Sequence, residues 1–103
     1  MSKNRNIKSE VDGSVFDSKA EARRYMELRL LEKANEISDL RLQYPFECKI
    51  NEKKICTYRA DFDYYHGDQW VVEDVKGFRT QVYRLKKRLV EALHGVEIRE
   101  VRA

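Results

Sequence analysis

Trp70-Val71-Val72-Glu73-Asp74-Val75-Lys76-Gly77 is a Val-rich run that ends with an acid and a lysine two residues apart. Successive side chains of a strand point to opposite faces, so Asp74 and Lys76 share one face and Glu73 takes the other. Upstream, Tyr58-Arg59-Ala60-Asp61-Phe62-Asp63 alternates in the same way, with Arg59, Asp61 and Asp63 on one side. The turn residues His66-Gly67-Asp68 lie between the two runs and make them antiparallel neighbours. The pairing brings two carboxylates, Asp61 and Asp74, to the ammonium of Lys76.

Stability alone does not favour such a cluster. Burying even part of this charge costs several kcal/mol, which an acid–base pair at best roughly offsets. Adjacent carboxylates repel unless a cation lies between them, and oxygen-only ligands select a hard ion, Mg²⁺ or Mn²⁺, over zinc. Such an ion polarises a phosphodiester and activates water, while a lysine stabilises the charge that develops. The competing reading of the residues alone is a surface salt bridge in an acidic hairpin.

Outward from this pair of strands, Ser18-Lys19-Ala20-Glu21 has the capping-box pattern and predicts a helix over residues 19–34, with Tyr25, Leu28 and Leu31 as its apolar stripe. Asp12-Gly13 predicts a tight hairpin before it. Strands are expected over 41–50, 55–65 and 69–76, with a turn at Asn51-Glu52-Lys53-Lys54. A second helix follows over 80–94, its stripe being Val82, Leu85, Leu89 and Leu93 and its stop Gly95. Val96, Ile98 and Val101 mark a last strand. The expected fold is α/β in the order αβββαβ, a mixed central sheet flanked by helices.

The 103 residues suffice for one core. Residues 1–10 read as a basic arm and 11–103 as a single domain. No run of eighteen apolar residues and no apolar stretch behind Met1 is present, so the expectation is a cytoplasmic protein without a membrane partner. Cys48 and Cys56 lack metal-ligand spacing and read as packing residues. The net charge of +3 is unevenly spread: residues 36–78 carry nine acids against six bases, residues 79–103 seven bases against three acids. An acidic site flanked by phosphate-binding surface fits this distribution, and so does a solvated helix face.

Tyr58-Arg59-Ala60-Asp61-Phe62, Val71-Val72-Glu73-Asp74-Val75-Lys76-Gly77 and then Thr80, Tyr83 and Lys86, together with Phe16-Asp17-Ser18-Lys19-Ala20-Glu21-Ala22 and Leu42-Gln43, resemble a family of small phage and prophage proteins assigned to the PD-(D/E)XK nuclease superfamily. The resemblance implies a restriction-endonuclease-like core and a metal-dependent endonuclease. It implies that Asp61, Asp74 and Lys76 are catalytic, that Val75 offers its carbonyl to the metal, and that Glu21 completes the site. Ala60 stands where the superfamily's name has proline. The second acid is Asp, whose reach is shorter than that of the commoner Glu.

The implied substrate is DNA, with branched junctions the favoured form and a homodimer the favoured assembly, in the host cytoplasm if the protein is phage-encoded. A nicking or repair-type endonuclease is one alternative. A non-catalytic nucleic-acid-binding or host-takeover protein on the same fold is another. Candidate DNA contacts are Lys3, Arg5, Lys8, Gln43, Arg84, Lys86, Lys87 and Arg88. Asp63 reads as a solvated edge acid or a supporting carboxylate. The aromatic run Tyr58, Phe62, Tyr64, Tyr65 and Trp70 suggests a surplus beyond the core that a dimer surface would cover.

Overall fold

Asp12 and Gly13 take φ of 52° and 81°, as a two-residue hairpin turn requires. They join β1 (Ser9–Val11) to β2 (Ser14–Phe16). The computed structural model describes residues 9–102; Ser9 and Glu10, expected in the arm, belong to β1. Ser18 caps α1 (Lys19–Lys33), its hydroxyl accepting from the Glu21 N–H at 3.1 Å. Ala22, Tyr25 and Leu28 form the buried line of α1. Leu31, expected on that line, is exposed. Each step of three falls back about 60° on a helix, so the stripe has rotated away by Leu31. Glu32 takes the inner position and accepts from the Leu40 N–H at 3.2 Å.

The strands expected over 41–50 and 55–65 are each broken in two. Gln43 enters the left-handed region at φ 56°, and Tyr44 precedes a proline, which disfavours a smooth continuation. The products are β3 (Ser38–Leu42), β4 (Pro45–Ile50), β5 (Lys53–Arg59), β6 (Phe62–His66) and β7 (Gln69–Lys76). β4 and β5 form a separate hairpin turned by Asn51 and Glu52, both at positive φ. The main sheet runs β3-β6-β7-β8, with β8 (Ile98–Arg102) parallel to β7 and the other pairs antiparallel. Between β7 and β8 lies α2 (Gln81–His94), the crossover that a parallel pair needs. Without its two hairpins the chain reads α1-β3-β6-β7-α2-β8, a mixed α/β fold in the expected order.

Strand alternation divides the core. Phe62, Tyr64, Val71 and Val75 pack under α1 with Phe16, Tyr25 and Leu28. Val72 and Ile98 face α2 and the β4–β5 hairpin, with Phe46, Tyr58, Tyr83 and Val90. Tyr58, Phe62 and Tyr64 are buried and Trp70 is half-buried, so the aromatic surplus expected on the surface is absorbed by these two clusters; Tyr65 alone of that run is exposed. Cys48 and Cys56 are free thiols facing one another across the hairpin.

The expected stripe of α2 faces outward. Tyr83 and Val90 are its buried residues, while Val82, Leu85 and Leu93 are exposed and Leu89 is half-buried. Anchors at both ends fix this rotation: the Tyr83 hydroxyl donates to Glu100 at 2.9 Å, and His94 packs on Phe46 with Nε2 2.8 Å from the Glu47 carbonyl. Periodicity reveals that a stripe exists but not which way it faces.

Candidate active site

β6 and β7 pair with Phe62 opposite Glu73, so the next residue on each side, Asp61 and Asp74, also face one another. Asp74 is inside β7, and Asp61 is in the bend where the chain returns from the β4–β5 hairpin. The Asp61 N–H donates to Asp74 Oδ1 at 2.9 Å, and the Val75 N–H donates to Asp61 Oδ2 at 2.8 Å. Each carboxylate is thus oriented through one oxygen. Of the other two, Asp61 Oδ1 receives a long contact from Gln43 Nε2 at 3.4 Å, and Asp74 Oδ2 is buried without a partner. The Asp61 carboxylate also shares a hydrogen bond with the Glu21 carboxyl. Leaving a buried acceptor unpaired costs about 1–3 kcal/mol, and more when it is charged.

Two more groups complete the cluster. Glu21, in the first turn of α1, has its pKa raised to about 7, first by burial and then by the neighbouring carboxylates of Asp61 and Asp17. Burial likewise raises Asp61, and it lifts Asp74 to about 6 against the opposing pull of the Asp61 N–H and Lys76. Lys76 ends β7 with Nζ 4.4 Å from the centre of the Tyr83 ring, and its charge acts on all three acids. Three carboxyls, each raised first by burial, share the one ammonium of Lys76.

The chemistry of the donors fits a hard cation. Mg²⁺ commonly uses one or two carboxylates and keeps several waters, and the unpartnered Asp74 Oδ2 beside Asp61 is such a donor pair. Among the described residues no group of three or more His, Cys, Asp or Glu is arranged to hold a metal ion. Glu21 stands beside Asp61, sharing a hydrogen bond with its carboxylate.

Glu73 is excluded from this site, as alternation requires. It lies under α1, gripped by Arg24 through Nε at 2.9 Å and Nη2 at 2.8 Å, and accepts from the Tyr64 hydroxyl, whose pKa burial and Glu73 push up to about 12. Asp63 is not solvated, and its hydrogen bonds go elsewhere than to the acids. It is buried, accepting from Arg41 Nη2 at 2.6 Å and Trp70 Nε1 at 2.9 Å. Strand parity places Asp63 on the α2 face of β6, where Trp70 supplies a donor.

Gln43 braces Asp61 twice, by its side chain and by its backbone N–H on the Asp61 carbonyl at 3.3 Å. Arg84, Lys87 and Arg88 line one cleft with Arg79 and Glu100. Lys86 lies on the other flank of α2, its charge acting on Cys48 of the hairpin. Lys3, Arg5 and Lys8 lie outside the described residues. Sequence reasoning missed Glu100, which sits opposite Asp74 in the parallel β7–β8 register and accepts from Arg79 Nη1 at 2.8 Å and from Tyr83. Only the long-range register reveals it.

A family model described as "Protein of unknown function (DUF1064)" matches residues 1–102. The chain belongs to the DUF1064 family. The DUF1064 match takes in Glu21, Asp61, Asp74 and Lys76. No curated protein and no solved structure matches the chain. No helix among the described residues is long and apolar enough to cross a membrane.

Proposed function

We propose that this DUF1064 protein is a metal-dependent endodeoxyribonuclease of the PD-(D/E)XK class, built on a restriction-endonuclease-like core. The observation that carries this reading is the unpartnered, buried Oδ2 of Asp74, a carboxylate whose other oxygen accepts from the Asp61 N–H and which feels the charge of Lys76. Asp61, Asp74 and the Val75 carbonyl would hold Mg²⁺ or Mn²⁺, with Glu21 alongside. The ion, when bound, supplies Lewis acidity toward a phosphodiester and lowers the pKa of water. The chain's own residues do the rest. The Asp61 and Val75 N–H groups lock the carboxylates in orientation. Lys76, held over Tyr83, places a positive charge where the pentavalent phosphate gathers negative charge. Glu21, which holds a proton near neutral pH, is suited to exchange one with water.

Branched DNA is the favoured substrate within this reading, because a two-fold dimer would supply the two opposed cuts that a four-way junction needs. The aromatic hairpin is buried within the protomer, so pairing would use another face. In the test, labelled four-way junction, flap, duplex and single-stranded DNA are incubated with EDTA, Mg²⁺, Mn²⁺ or Ca²⁺. Cutting with Mg²⁺ or Mn²⁺, binding without turnover in Ca²⁺, and no cutting in EDTA are expected. Cleavage that persists in chelator rules the mechanism out. A monomer by light scattering that cuts junction and duplex equally leaves a general endonuclease.

A further inference from the structure

The outward face of α2 touches the core only through Leu89, which packs against the α2-side cluster. Phe78, in the segment between Lys76 and α2, is 82% exposed; Val82 and Leu85, one helical step of three apart on α2, are 63% and 65% exposed. Large apolar side chains this exposed, gathered on and just before one helix, mark an interaction site. We infer that Phe78 and the outward face of α2 bind unpaired nucleotides of the nucleic acid that is cut at the Asp61–Asp74 site, an inference that rests on the nuclease reading.

The rim of the patch identifies its occupant. At about 100° per residue, Arg84 and Arg88 follow one edge of the Val82–Leu85–Leu89 stripe and Lys86 the other. Arg84 and Arg88 also line a cleft of about 300 Å³ with Arg79. A second cleft of about 440 Å³, lined by Arg79, Arg102 and Lys76, leads on to the active-site ammonium. Glu100, the acid shared by both clefts, is already engaged by Arg79 and Tyr83. The occupant must therefore offer apolar surface to Phe78 and Leu85 and negative charge to the bases at its edge.

Unpaired nucleotides offer both, since each base has a face that stacks on an aromatic ring and each linkage carries a phosphate. In a duplex the bases stack on one another and hide those faces. A second copy of this chain fits poorly, because a two-fold contact through α2 would set one basic rim against the other. Phe78 also lies only two residues along the chain from Lys76 of the site of cutting.

The test is fluorescence anisotropy in EDTA, with a labelled oligonucleotide presented single-stranded and as the corresponding duplex. Phe78→Ala and Leu85→Ser are expected to weaken single-strand binding on the order of tenfold each, with a much smaller effect on the duplex. Phe78→Trp retains the binding. Arg84→Ala with Arg88→Ala weakens both forms and makes the salt dependence shallower. Circular dichroism confirms that the variants fold. Phe78→Ala acting equally on both forms, or on neither, overturns the inference. So does a dimer in sedimentation that Leu85→Asp dissociates, or binding to anionic vesicles that Phe78→Ala abolishes. DNA bound in the expected pattern but left uncut with Mg²⁺ and Mn²⁺ instead sinks the nuclease reading and leaves the nucleotide surface standing.

Discussion

Asp61 and Asp74 are cross-braced: the backbone N–H of Asp61 holds one oxygen of Asp74, and the residue after Asp74 holds one oxygen of Asp61. Gln43 and Glu21 add side-chain contacts to Asp61 alone. Replacing either carboxylate changes the charge and hardly disturbs the fold, which gives the site a clear mutational signature.

Asp61→Asn, Asp74→Asn and Lys76→Ala are each expected to lower Mg²⁺-dependent cleavage by about 100-fold or more, the scale on which single electrostatic groups act in a preorganised site. Isothermal titration of Mn²⁺ should show binding lost with either aspartate and retained in Lys76→Ala. Unchanged cleavage in Asp74→Asn would remove Asp74 from the site.

Glu73 and Asp74 are expected to separate cleanly. Glu73→Gln leaves Arg24 facing a neutral partner, and breaking such a buried pair costs about 3–5 kcal/mol. Asp74→Asn relieves repulsion and leaves stability equal or higher. Urea unfolding measures both. Should Asp74→Asn prove the more destabilised, the register of β7 assigned above is off by one residue.

Gln43→Gly relieves a left-handed backbone conformation that costs a side-chain-bearing residue about 1–2 kcal/mol, yet it removes the side-chain half of the brace on Asp61 and keeps the backbone half. Stability should hold or rise while cleavage falls about 10-fold or more, as for other residues that orient a ligand. A variant that is as active as the wild type would show that the brace is dispensable.

The metal-free protein should lose stability as pH rises. Glu21 at about 7 and Asp74 at about 6, with Asp61 also raised, bind protons more tightly in the folded chain than in the unfolded one. Their contribution is fully present below the unfolded carboxyl range near pH 4 and is lost as pH climbs through about 6 and 7. In EDTA the thermal midpoint should therefore be lower at pH 8 than at pH 5. Mn²⁺ should reverse the difference by binding only the folded state. A midpoint indifferent to pH, or one rising toward pH 8, contradicts the shifts.

Much of the site was legible because β7 is a regular central strand. Period-two alternation alone sends Asp74 and Lys76 to one face and Glu73 to the other. Ser18 and Gly95 announce their helix ends through local hydrogen bonds: Ser18 accepts from Glu21, and Gly95, at φ 68°, donates to the Glu91 carbonyl. The breaks at Gln43 and Asp61 were not legible, because alternation runs on through a bend that tertiary packing imposes. The rotation of α2 was hidden for a similar reason, since its anchors on Glu100 and Phe46 are remote in sequence. Asp63 was misjudged because its partners, Arg41 and Trp70, arrive from two other strands.

The β4–β5 hairpin leaves the sheet after Gln43 and returns at Asp61, residues joined by their own hydrogen bonds. Its tip and its root therefore tolerate changes in chain length differently. Residues added at Asn51–Glu52 extend a loop whose ends stay pinned, and the parity of β6 is untouched. One residue added between Arg59 and Phe62 moves Asp61 out of step with Asp74 or turns every side chain of β6 to the opposite face. Natural length variation should collect at the tip and avoid the root.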